Sequence, residues 1–225
     1  MEPRDRFALA LDVDDLVLAT RWADELKPWF GVAKVGLELW AAAGPDAVVS
    51  MADRGFRVFL DAKLHDIPTT VGRAARVLGT LGPSYVTIHA AGGVAMLRAG
   101  VEGLAEGAAR VGLPAPAVLA VTILTSEQDA PPQTLTQRVE WALESGCGGF
   151  VCAAGEVQRA KEIAPRLLAV VPGIRMGGSP SNDQARASTP EEAFAAGADV
   201  IVVGRTVTAA SDRAAAAAAL VDAVA

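Results

Sequence analysis

Asp61, Lys63 and Asp66 set three charges into the stretch R-V-F-L-D-A-K-L-H-D-I-P-T-T-V, Arg57 to Val71, directly after the apolar run Val58-Phe59-Leu60. Residues two apart on a strand face the same side, so Asp61 and Lys63 are expected to project together where this strand ends. Charges crowded at the end of a buried strand are costly unless they pair or are held for a purpose. One reading is a salt bridge that fixes a strand end. The other is chemistry, in which an ammonium set among carboxylates stabilises developing charge or delivers a proton to a carbon.

The elements that must position these groups follow a repeating order. Short, mainly apolar runs at Phe7–Val13, Val32–Gly36, Arg57–Lys63, Ser84–His89, Ala117–Ile123, Gly148–Cys152, Leu167–Val171 and Asp199–Val203 read as strands, and helical stretches alternate with them. Helix signals include Pro68 in a first turn, a break near Gly44-Pro45, and Thr189-Pro190-Glu191-Glu192 as a capped start. Gly204-Arg205 leads into a last helix that runs through the Ala-rich tail. Strands alternating with helices predict a parallel sheet, and eight of them close a (β/α)8 TIM barrel in a single domain spanning 1–225. A doubly wound open sheet is the alternative.

A barrel keeps its functional residues at the C-terminal ends of the strands. Asp12, Lys34, Asp61 with Lys63, His89, Thr125, Pro172 to Arg175, and Gly204-Arg205 all fall there. The ends of strands seven and eight are where such barrels bind phosphate, through backbone amides and a helix N-terminus. Gly173, Gly177-Gly178 and Gly204-Arg205-Thr206 occupy that place. The acid–lysine cluster then lies across the rim, at the reacting end of a ligand.

Composition narrows the chemistry. The 225-residue chain carries a formal charge of −6, which argues against a general nucleic-acid binder. Cys147 and Cys152 have no metal-ligand spacing, and both read as apolar fillers in a protein of the reducing cytoplasm. No signal-peptide pattern opens the chain, and no run reaches membrane-spanning length. Two lysines among the carboxylates would compete with a cation, so the site is expected to hold no metal.

The segment D-A-K-L-H-D-I-P-T-T-V, Asp61 to Val71, resembles the D-x-K-x-x-D-I-[GP]-x-T signature of the orotidine 5′-phosphate decarboxylase (OMP decarboxylase) family. The similarity continues in order through L-D-V at Asp12, K-V-G at Lys34, V-T-I-H-A at Thr87, L-T-S at Thr125, P-G-I-R at Pro172 to Arg175, and V-G-R at Gly204-Arg205. The resemblance implies a homodimeric barrel that converts orotidine 5′-monophosphate to UMP in pyrimidine biosynthesis without metal or organic cofactor. Lys63 would protonate C6, and Asp61 would stand against the leaving carboxylate. Asp66, with Ile67 and Thr70, would reach the neighbouring subunit's site and complete an array with Lys34. Asp12 and Lys34 would hold the ribose, and Thr125 the pyrimidine edge.

One departure concerns phosphate binding. Many members of the family carry a glutamine two residues after P-G-I-R, where this chain has Gly177. Gln184, within Asn182-Asp183-Gln184, matches another form of the loop and is assigned to the phosphate with Arg205 and Arg175, leaving Gly177 to Pro180 to a mobile lid. His65 is expected to make a structural hydrogen bond, His89 to support the rim, and the four tryptophans to pack. The alternatives are a related sugar-phosphate decarboxylase on the same strand and a non-catalytic phosphate-binding barrel.

Overall fold

Alternation divides the apolar residues of each strand between the two sides of a closed sheet. Ala8, Ala10, Val32, Phe59, Tyr85, Leu119, Val170, Val200 and Val202 fill the interior of the sheet. Their neighbours Phe7, Leu9, Val58, Leu60, Val86 and Ile88 belong to a second, larger core between sheet and helices. Two cores separated by one sheet are the arrangement of a filled barrel. The molecule is represented by a computed structural model that describes residues 2–127, 130–131, 133–176 and 187–224.

The strands are β1 (Phe7–Ala10), β2 (Val32–Val35), β3 (Arg57–Leu64), β4 (Tyr85–His89), β5 (Ala117–Val121), β6 (Gly149–Val151), β7 (Leu168–Val171) and β8 (Val200–Val203). All neighbours pair in parallel, and β8 returns to β1 to close the barrel. The helices are α1 (Leu16–Leu26), α2 (Leu37–Ala43), α3 (Pro45–Asp53), α4 (Pro68–Gly79), α5 (Gly93–Arg110), α6 (Gln133–Glu144), α7 (Ala154–Ile163), α8 (Pro190–Ala195), α9 (Arg205–Thr208) and α10 (Arg213–Asp222). The (β/α)8 expectation therefore holds.

Helix starts follow local chemistry. Asp15 caps α1 by accepting from the amides of Val17 and Leu18, and Thr189 with Glu192 forms a capping box on α8. Pro45, Pro68 and Pro190 each sit in a first turn, where the missing N–H costs no helix bond. Between α4 and α5 the backbones almost touch. A β-carbon would lie 2.3 Å from the Leu104 carbonyl oxygen at Gly79, 2.3 Å from that of Gly72 at Gly103, and 2.0 Å from that of Arg76 at Gly107.

One boundary differs from the sequence expectation. The last helix is interrupted: Asp212 accepts from the Ala215 amide and starts α10, while Arg213 Nε donates to the Thr208 carbonyl at the end of α9. Strand β3 carries Asp61 and Lys63 at its C-terminal end, as expected. Its pairing with β4 shifts, from Leu60 opposite Val86 to Leu64 opposite Ile88, so Asp61, Ala62 and Lys63 face Thr87 alone. This is an enlarged bulge, and it puts Lys63 at φ 47°, the one positive φ at a non-glycine residue among the described residues. Such a backbone costs on the order of 1–3 kcal/mol and persists only where its surroundings enforce it.

Candidate active site

The inward-facing side chains change character along the barrel axis. Phe59 and Tyr85 pack edge to face inside it, and beyond them Lys34, Asp61 and Thr87 replace the apolar layer. These polar groups open into a cleft of about 550 Å³ at the C-terminal ends of the strands.

Four side chains form a continuous row of alternating charge on one wall. Lys34 Nζ lies 2.7 Å from Asp12 Oδ1 and 3.8 Å from Asp61 Oδ2, and the same Asp61 oxygen accepts from Lys63 Nζ at 2.6 Å. Only 10% of the Lys34 side chain is exposed, so its charge is held by the two carboxylates and not by bulk water. Burial pushes the Asp61 carboxyl upward, but the charges of Lys34 and Lys63, with hydrogen bonds from Lys63 and Thr87, outweigh it and hold Asp61 below the usual range. Gly36 leaves room for the row: a β-carbon there would meet Asp12 Oδ1 at 2.5 Å and Lys34 Nζ at 2.8 Å.

Another part of the lining follows β7 and β8. Pro172, Arg175, Gly204 and Arg205 form it, and Thr125 lines the cleft after β5. Gly173, at φ 82°, turns the chain beyond β7. The carbonyl of Ile174 accepts from Arg175 Nη1 at 2.9 Å and from Thr206 Oγ1 at 2.8 Å, tying the β7 loop to the start of α9. First-turn amides of a helix lack partners within it, which suits the Gly204-Arg205 end to an anion.

Asp12, Lys34, Asp61, Lys63, Thr125, Pro172, Arg175, Gly204 and Arg205 thus share one cleft. Asp66, Ile67 and Thr70 are not part of its lining. The Asp66 carboxylate accepts from the Ile67 amide at 2.7 Å, and Ile67 is 67% exposed at the head of α4. Gln184 and the segment from Gly177 to Pro180 lie outside the described residues. Among the described residues, no three of His, Cys, Asp and Glu converge as a metal-ligand set, and no helix is long and apolar enough to cross a membrane.

Some participants were not singled out by sequence. Thr87 stood in a quoted motif without a role, yet its hydroxyl touches both Asp61 and Lys63. Cys152, expected as filler, is buried and lines the cleft. The expected hydrogen bond of His65 is replaced by a tilted ring contact with His89, with centroids 5.4 Å apart. Burial, then His65, Lys63 and Arg138, push the His89 imidazole below its ordinary pKa against the opposing pull of Asp61.

A parallel eight-stranded barrel with a charged cleft at its C-terminal face defines the class of (β/α)8-barrel enzymes. A family model described as Orotidine 5'-phosphate decarboxylase / HUMPS family matches residues 5–220. The chain belongs to this family. A relative from Moorella thermoacetica named orotidine 5′-phosphate decarboxylase is 44% identical, over 98% of this chain and 92% of its own length. One of the same name from Anaeromyxobacter dehalogenans is 46% identical, over 98% of both chains. The crystal structure of orotidine 5′-phosphate decarboxylase from Lactobacillus acidophilus superposes with a TM-score of 0.79 at 35% identity, covering 95% of this chain and 96% of the other.

Proposed function

We propose that the protein decarboxylates orotidine 5′-monophosphate to UMP, using Lys63 as the proton donor. The observation that carries the reading is the row Asp12–Lys34–Asp61–Lys63 sharing one cleft with Arg175 and Arg205. Family membership and the printed names of the relatives support the substrate.

In this reading the phosphate is held by Arg205, Arg175, the Gly204 turn and Gln184, with Pro172 shaping the wall. Asp12 and Lys34 take the ribose hydroxyls, and Thr125 the pyrimidine edge. The bond between C6 and the carboxylate breaks, carbon dioxide leaves, and the electron pair stays on C6. The Lys63 ammonium stabilises that pair more strongly as it develops, which lowers the barrier rather than merely improving binding. Its proton then passes to C6, and the neutral amine regains one from solvent. Asp61 fixes the Lys63 ammonium and stands against the leaving carboxylate.

The proposal includes a homodimer in which Asp66, Ile67 and Thr70 complete the partner's site. It is supported by the large apolar Ile67 held exposed at the head of α4, beside an Asp66 that does not line its own cleft. A cytoplasmic location belongs to the same reading, as does turnover without metal or organic cofactor.

The test follows loss of absorbance from orotidine 5′-monophosphate in the presence of a chelator. Turnover that survives the chelator and disappears in Lys63→Ala is expected. Dependence on magnesium, or indifference to Lys63→Ala, overturns the assignment.

A further inference from the structure

Thr87 lies midway along β4, fully buried, and faces the barrel interior opposite the β3 bulge. Its Oγ1 accepts from the Lys63 backbone amide at 2.9 Å and lies 2.9 Å from Asp61 Oδ1. The carboxylate, held ionised by its two lysine neighbours, can only accept. The single hydroxyl proton therefore goes to Asp61, and an oxygen lone pair takes the Lys63 amide.

We propose that Thr87 is a positioning residue that sets the catalytic pair from below, holding the strained backbone of Lys63 and the rotation of the Asp61 carboxylate with one hydroxyl. Three β3 residues face Thr87 alone, so the regular ladder offers the Lys63 amide no ordinary place. The hydroxyl supplies the acceptor that the ladder lacks, and a buried amide without one would be costly. With Oδ1 anchored on Thr87, Oδ2 is left to both ammonium groups, 2.6 Å from Lys63 and 3.8 Å from Lys34. The β-branched side chain has few rotamers, so the anchor is stiff.

The kinetic consequence rests on the decarboxylation reading; the structural one does not. Thr87→Val keeps shape and removes both hydrogen bonds, while Thr87→Ser keeps the hydroxyl. The expected result is a roughly ten- to hundredfold fall in kcat for Thr87→Val, the scale of one or two lost bonds to a charged group, with KM little changed. Thr87→Ser recovers most of that loss. Independently, a carbon-13 titration of the Asp61 carboxyl moves upward in Thr87→Val and returns in Thr87→Ser, because one bond to the charged form has gone.

Should Thr87→Val fail to fold, Thr87→Ala against Thr87→Ser makes the same comparison. An active wild type with Thr87→Val at unchanged kcat overturns the positioning role and leaves the function standing. A wild type inactive on orotidine 5′-monophosphate overturns the function, and the titration then decides Thr87 by itself: an unmoved Asp61 carboxyl sinks the role.

Discussion

Lys63 Nζ stands 2.6 Å from Asp61 Oδ2, although the backbone joining them leaves the regular strand and carries Lys63 at φ 47°. The contact that alternation alone would bring about is made here through a bulge that also aims the ammonium into the cleft. In the proposed mechanism, Lys63→Ala removes the proton donor and the charge opposite the developing carbanion together. Its kcat is expected to fall by more than about 10³-fold, the combined scale of general-acid and electrostatic catalysis. Single-turnover decarboxylation checks this; a fall of less than tenfold would assign the proton to another group.

Gly36→Ala tests the other end of the row. The added carbon would crowd the ends of two flexible side chains, so the barrel should fold while the Asp12–Lys34 pair separates. A loss of about tenfold in kcat/KM is expected, equal to ~1.4 kcal/mol of transition-state binding. Wild-type kcat/KM in a folded Gly36→Ala protein would show that the pair has no role in turnover.

The proposed shared site predicts complementation. Asp66→Asn and Lys63→Ala proteins, each weak alone, should regain part of the wild-type rate when mixed, since one of the two sites in a hybrid dimer carries neither change. Tagged subunits establish exchange. Exchange without recovery would place Asp66 in its own subunit's chemistry.

His89 supplies a pH prediction whose sign follows from linkage. Its folded pKa lies below the ordinary 6.5, so above that value the group adds no pH dependence to stability. As pH falls below 6.5, the unfolded chain takes up the proton and the folded chain resists, so stability falls until the lower folded pKa is reached. His89→Gln removes this slope. Urea unfolding at pH 7.5 and 5.5 should therefore show wild type losing more stability than the variant; equal losses would place the folded pKa at its ordinary value.

The barrel and the charged row were legible because both rest on local pattern. Each strand is a short apolar run, and Asp12, Lys34 and the pair Asp61 and Lys63 interrupt or end three such runs on one rim. The bulge was not legible, because a change of register between β3 and β4 depends on what Thr87 offers from 24 residues away, and alternation within β3 contains no trace of it. The tilted ring contact of His65 with His89 is another contact between strand ends that local pattern does not encode. The break before α10 was readable in principle, since Asp212 is a capping residue, but the alanine run after it masked the stop.

The glycine contacts between α4 and α5 leave no cushion of side chains on which the two helices could slide. Ile67 caps α4, while α5 follows the end of β4 through the turn at Ala90 to Gly92. The proposed intersubunit segment from Asp66 to Thr70 is therefore mounted on a stiff splint whose other arm begins beside the rim. A methyl group added at Gly103, buried and remote from any charge in the cleft, would spread the splint and, in the proposed dimer, shift the segment offered to the other subunit.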